Sequence, residues 1–192
     1  MASRYGPAPM TDEAFLAYCE EHEGLSVETS AEGRLILMPP AGTATGYQNS
    51  DLNYQVSHWA RRSKTGRAFD SSTLFALPNG ARRSPDCAFV LHERIAALHL
   101  RQQPIIWPIC PDFVVELKSA TDRPARLVAK MEEYLRNGVK LGWLIDPQEH
   151  SVTIFRPRRK PTVLASPKVI EGEGPVAGLR VKTRELWWQP GL

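Results

Sequence analysis

Residues 112–147 leave few folds open to this chain. "DFVVEL" is a short, largely apolar run suited to a strand in the middle of a sheet. The next run, "TDRPARLVAKMEEYLRNGV", places Leu127, Met131, Tyr134 and Leu135 on one helical stripe, with Pro124 in the first turn and Gly138 as a C-terminal stop. Thr121 or Asp122 is expected to cap that helix, and "KLGWLIDP" reads as a second strand ending in a turn at Asp146-Pro147. Strand, helix, strand in that order requires a crossover connection, and so at least one parallel pair.

The remaining segments predict an antiparallel portion beside that pair. "TDEAFLAYCEEH" reads as a helix capped by Thr11, "GRLILMPP" as a strand stopped by Pro39-Pro40, and "AGTATG" as a loop. "YQNSDLNYQVSHWARRSK" repeats Leu52, Val56 and Trp59 at helical spacing. "RAFDSSTLFALPNG" and "RRSPDCAFVL" read as two strands joined in a hairpin through Asn79-Gly80. "HERIAALHL" is expected to form a short helix and "RQQPIIWPICP" a proline-broken loop; "SVTIFRP", "TVLAS" and "LRVKTRELWW" are expected to close the fold. The fold class predicted is α/β (α+β): a mixed sheet flanked by helices, with an antiparallel hairpin and a βαβ crossover. At 192 residues one domain is expected, with a helical segment over 1–27 leading into a domain over 28–192.

Composition excludes several classes. Cys19, Cys87 and Cys110 are far apart and odd in number, which suits neither a disulfide framework nor a zinc site. The five histidines show neither HExxH nor HxxxH spacing. Without a signal pattern or an apolar run of membrane-spanning length, the expectation is a cytoplasmic protein with no membrane association. A net charge of +3 tolerates a polyanionic partner without demanding one.

The central strand carries Glu116 and Lys118, two residues apart and therefore on one face, with α-carbons about 6.6 Å apart. A carboxylate in a core strand has a use if it holds a metal, and "RRSPDCAFV" supplies a second acid, Asp86, with Pro85 fixing the chain before it. Lys118 would then lie close enough to reach a water on that metal.

Taken in order, "RLILMPP", "FDSST", "LPNG", "RSPDCAFV", "PDFVVELKS", "KMEEYLRNGVKLGWLIDP" and "VTIFRP" resemble the Uma2 family, within the PD-(D/E)xK restriction-endonuclease-like superfamily, over residues 28–188. The resemblance implies a restriction-endonuclease-like core with Asp86 and Glu116 as Mg²⁺ ligands (Mn²⁺ a possible substitute) and Lys118 beside them. It also implies an acid from near the N-terminus, for which Glu28 is the first candidate and Glu32 and Asp51 are weaker ones. Some relatives draw the lysine from the following helix, where this chain has Lys130, four residues before Tyr134, so either lysine could serve. The implied activity is Mg²⁺-dependent endonucleolytic hydrolysis of DNA, with a homodimer attractive for paired cuts.

Each residue also has a purely architectural reading. Asp86 and Glu116 could form buried ion pairs with Lys118 or Arg83, Lys118 could snorkel from a strand end, and Tyr134 belongs to the apolar stripe and reads as core. Asp70 and Ser71 could line the cleft or simply make structural hydrogen bonds, and the basic runs near Arg61 and Arg158 read as solvated surface. Two rival functions follow: a catalytically inactive nucleic-acid-binding or interaction module, and a metal-dependent phosphohydrolase of a small substrate.

Overall fold

The computed structural model describes residues 10–98 and 105–189. In chain order the first half comprises α1 (Asp12–Glu21), β1 (Ser26–Thr29), β2 (Leu35–Met38), α2 (Thr43–Ser63), β3 (Gly66–Asp70), β4 (Phe75–Ala76), β5 (Arg82–Arg83), β6 (Cys87–Leu91) and α3 (His92–Ala96). The second half comprises β7 (Phe113–Leu117), α4 (Pro124–Arg136), β8 (Leu141–Asp146), β9 (Ser151–Phe155), β10 (Thr162–Ala165), β11 (Val169–Glu171) and β12 (Arg180–Lys182). Part of the expected loop "RQQPIIWPICP", the end of "HERIAALHL" and the first nine residues of the N-terminal segment lie outside the described residues.

A six-stranded sheet runs in the order β10-β9-β8-β7-β6-β3, with β7 and β8 parallel and joined through α4, and every other neighbour antiparallel. This is the mixed sheet with a βαβ crossover that the sequence predicts. All five residues of β7 are buried because helices cover both faces there. On one face Leu52, Val56 and Ala60 of α2 pack with Phe113, Val115 and Leu117, and Ile170, Val176 and Val181 extend the same cluster. On the other, Leu127, Met131 and Tyr134 of α4 pack over Val114 and Leu144. The two-residue period of β7 therefore sends Glu116 to the α4 side.

Three local expectations differ from the structure. The Asn79-Gly80 turn joins β4 to β5, and these belong to a separate sheet, β2-β1-β5-β4, whereas β3 pairs with β6. The break falls after Asp70, whose carboxylate accepts from the Ser72 N–H (3.0 Å) and hydroxyl (2.6 Å) and so ends β3. Helix α2 starts at Thr43, within the expected loop. Helix α4 is not capped by Thr121 or Asp122: Arg123 precedes it, and the Asp122 carboxylate turns back to Ser119 N (2.8 Å) and Oγ (2.7 Å), closing the loop between β7 and α4.

Gly66 tests the packing of β3 on β6. A Cβ there would lie 2.2 Å from the Val90 carbonyl oxygen and 2.5 Å from Phe89 Cζ, so backbone would have to move. Gly66→Ala is expected to lower stability by about 1–3 kcal/mol. Gly46→Ala, in α2 with nothing within 4 Å of the new methyl, is expected to raise it by up to about 1 kcal/mol. Urea unfolding of both variants checks the opposite signs.

Candidate functional site

The register Cys87↔Val115, carried one residue further, sets Asp86 level with Glu116 on the neighbouring strand. Asp86 Oδ2 accepts from the Leu117 N–H at 2.7 Å, which aims this carboxylate at the end of β7. From α2, Asn53 Nδ2 donates to the Asp86 carbonyl at 2.9 Å and fixes the chain before β6. The other carboxylate oxygen of Asp86 makes no hydrogen bond to the described residues.

Helix α4 brings Lys130 and Tyr134 over Glu116. Lys130 Nζ lies 2.9 and 3.0 Å from the two Glu116 oxygens, and the Tyr134 hydroxyl donates to Oε1 at 3.0 Å. Lys130 Nζ also lies 2.8 Å from Glu28 Oε1. Glu28 is clasped further by the Ser84 N–H (2.9 Å) and by Arg83 Nη1 (3.0 Å), and Arg83 Nε reaches Glu133 at 2.6 Å. A buried chain of ion pairs thus runs Glu133, Arg83, Glu28, Lys130, Glu116, with Asp86 at its more open end.

Each candidate residue can now be placed. Asp86, Glu116, Lys130 and Glu28 converge. Lys118 does not join them: its ammonium pairs with Asp146 Oδ2 (3.0 Å) and Gln148 Oε1 (2.9 Å). The strand ends at Leu117, the Lys118 N–H bonds the Ile145 carbonyl, and the side chain reaches sideways to the end of β8 instead of back to Glu116. Glu32 is engaged by the Ser30 hydroxyl in the turn between β1 and β2, and Asp51 accepts from Gln55 on the far side of α2. Tyr134 is fully buried in the core, as its stripe predicts, yet its hydroxyl serves the acid cluster. Ser71 is tied structurally, accepting from Asn49 Nδ2 (3.4 Å) and from the Ser84 hydroxyl through its carbonyl (2.6 Å). Arg83 is the contributor that the spacing argument treated only as a salt-bridge partner.

The cluster holds more acid than base. Asp86, Glu116, Glu28 and Glu133 face two cations, Lys130 and Arg83. Burial pushes Glu116 up to about 8 despite Lys130 beside it, and Asp86 and Glu28 add to the rise. Burial likewise pushes Asp86 up to about 6, against the Leu117 N–H and the Lys130 charge. Burial would raise Glu28 too, but Lys130 and Arg83 outweigh it and hold that carboxyl below its usual value. For Lys130, burial works against the charged form, and Glu116 and Glu28 overcome it, so the ammonium is held above its ordinary range.

The donor set fits a hard divalent cation at Asp86 and Glu116. Both groups offer oxygen, burial disfavours the ionised form of each in a way that a divalent charge would offset, and each carboxylate oxygen can accept more than one contact. Among the described residues no group of three or more His, Cys, Asp or Glu is arranged to hold a metal. Mg²⁺ does not need one, since it commonly takes one or two carboxylates and completes its shell with water and phosphate. Glu28 is occupied by two cations and a backbone N–H, so it suits fixing Lys130 better than holding a metal.

Residues 12–184 match the model of a family described as "Uma2: Putative restriction endonuclease". The chain belongs to the Uma2 family. A crystal structure titled as that of a putative nuclease belonging to DUF820, from Anabaena variabilis, is similar over 93% of this chain and 98% of that one, with a TM-score of 0.76 and 21% identity. That likeness shows a shared fold, while membership of Uma2 supports a nuclease-like function. No curated protein matches the chain. No helix among the described residues is long and apolar enough to cross a membrane.

Proposed function

We propose that this Uma2 protein is a Mg²⁺-dependent endonuclease that hydrolyses phosphodiester bonds in DNA, with Asp86 and Glu116 holding the metal and Lys130 as the functional lysine. The observation that carries the reading is the convergence of two carboxyl groups raised by burial, Asp86 just before β6 and Glu116 on β7, beside a lysine fixed by two acids. When bound, the ion would polarise a phosphoryl oxygen and lower the pKa of a coordinated water.

The chain's own groups have separate tasks. Asp86 and Glu116 supply anionic oxygens at one point between β6 and β7. Lys130 is held charged, so it serves as a fixed positive group facing developing negative charge, and not as the resting proton acceptor. Tyr134 and Glu28 grip Glu116 and Lys130 respectively, which limits their rotation and keeps the cluster arranged in advance. Asn53 and the Leu117 N–H hold Asp86 at the open end.

A binding module that retains the fold is the second reading, favoured by the fact that Lys130 and Tyr134 already engage both Glu116 oxygens. Incubation of the protein with single-stranded, duplex and branched DNA in Mg²⁺ or Mn²⁺, with an EDTA arm and a Glu116→Ala control, separates the two. Cutting that needs metal and Glu116 supports the enzyme. Binding without cutting in every metal arm supports the module, and cutting that persists in the control reveals contamination.

A further inference from the structure

A second feature of the molecule lies on the opposite side of α2 from Asn53. Between α2 and the β12 segment runs an open groove of about 840 Å³. Its walls carry Arg62 from α2 and Arg180 and Lys182 from β12, and Tyr54, His58 and Trp59 line the helix side. Tyr54 is 67% exposed, an unusual fate for a large aromatic side chain, and its ring lies 5.9 Å from that of His58. Trp59 forms part of the floor, with its ring 5.1 Å from that of Phe89 in the core.

The groove is held in shape. Gln55 bridges α2 to β12 by accepting from Lys182 N (2.8 Å) and donating to Lys182 O (2.9 Å). The acids along it are partly engaged: Asp51 accepts from Gln55 at 2.7 Å, and Glu185 accepts from Tyr47 at 2.7 Å and lies 3.8 Å from Arg184. Arg180 pairs with Glu171 at 3.5 Å in open solvent, whereas the side chains of Arg62 and Lys182 pair with no acid among the described residues. Cations without partners beside exposed rings match a chain that alternates phosphates with flat bases.

We propose that this groove binds single-stranded DNA, with Arg62 and Lys182 contacting phosphates and Tyr54 and His58 stacking on unpaired bases. A duplex hides its base faces, so the aromatic wall favours an unpaired strand. The choice of DNA rests on the proposed nuclease reading, and the helix links the two places: Asn53, which holds Asp86, is the residue before Tyr54.

The test is fluorescence anisotropy of a labelled oligodeoxythymidine in EDTA, where no metal-dependent cleavage can occur, with the intrinsic emission of the five tryptophans, Trp59 among them, as a second signal. Wild-type protein is expected to bind with its tryptophan emission altered. The double variant Arg62→Glu, Lys182→Glu is expected to bind at least about tenfold more weakly, with the slope of log K against log salt reduced by at least about 1.4. Tyr54→Ala should weaken binding about 5- to 100-fold and leave that salt slope unchanged. No binding by wild type at low salt, unaltered affinity in both variants, or tighter binding of duplex DNA or of a matching RNA would each overturn the proposal. The two readings fail separately. Groove-dependent binding by a protein that cuts no DNA sinks the nuclease and leaves the groove, whereas DNA cleavage indifferent to both variants sinks the groove alone.

Discussion

Lys130→Met is expected to destabilise the protein by about 3–5 kcal/mol and to abolish DNA cleavage, while Lys118→Met costs about 1–2 kcal/mol and leaves cleavage within about threefold of wild type. The two lysines differ in what they leave behind. Removing Lys130 takes from Glu28, whose carboxyl is held ionised, one of its two cationic partners in a site where it is 2% exposed, and leaves both Glu116 oxygens without their ammonium donor. Breaking a buried pair by deleting one partner is costly because the surviving charge has no solvent to turn to. Lys118 leaves behind Asp146, which keeps the Gln148 and Glu149 N–H groups at 3.1 and 3.2 Å. Urea unfolding and a cleavage assay on both variants measure the two effects. If Lys118→Met were the inactive variant, the assignment of the lysine to α4 would be wrong.

Glu116→Ala is expected to lose at least about 10³-fold in activity, equivalent to about 4 kcal/mol of transition-state stabilisation. Its effect on the fold should be smaller than that of Lys130→Met. Burial holds Glu116 up to about 8, so its ionised form is a burden on the native state at neutral pH, and Lys130 keeps Glu28 as a partner once Glu116 is gone. Activity and stability are therefore expected to separate: Glu116→Ala inactive and folded, Lys130→Met inactive and weakened. Asp86→Asn gives a finer test, because an amide oxygen can still accept from the Leu117 N–H while the anionic charge is lost. It should lose metal-dependent activity with little change in unfolding midpoint.

How much of this was legible in the sequence follows from the physics of each element. The β7, α4, β8 unit announces itself because two buried strands flank a helix with a regular apolar stripe, and each of the three constrains the others. Strand β1 escapes notice: "SVET" is four residues long, three of them polar, and its burial comes from pairing with β2 and β5 rather than from its own pattern. The sequence still offers Glu28 as a candidate acid, although nothing in it places that residue on a strand. Lys118 lies apart from the cluster for a definite reason. Two residues along a strand gives the right face, but the side chain had a nearer acid on β8, which the spacing within one segment cannot reveal. The helix stripe identified Tyr134 as core, and a stripe says nothing of where a terminal hydroxyl points. The Asn-Gly turn was visible, whereas the transfer of its two strands to a second sheet depends on the Asp70 turn that ends β3.

The most direct measurement is the anomalous signal from a crystal of the full chain soaked in Mn²⁺. A peak within coordinating distance of carboxylate oxygens from both Asp86 and Glu116, with Lys130 beside it and Lys118 still on Asp146, is the predicted result. Absence of any peak there at a Mn²⁺ concentration that supports DNA cleavage, or a peak held by other side chains, would contradict it.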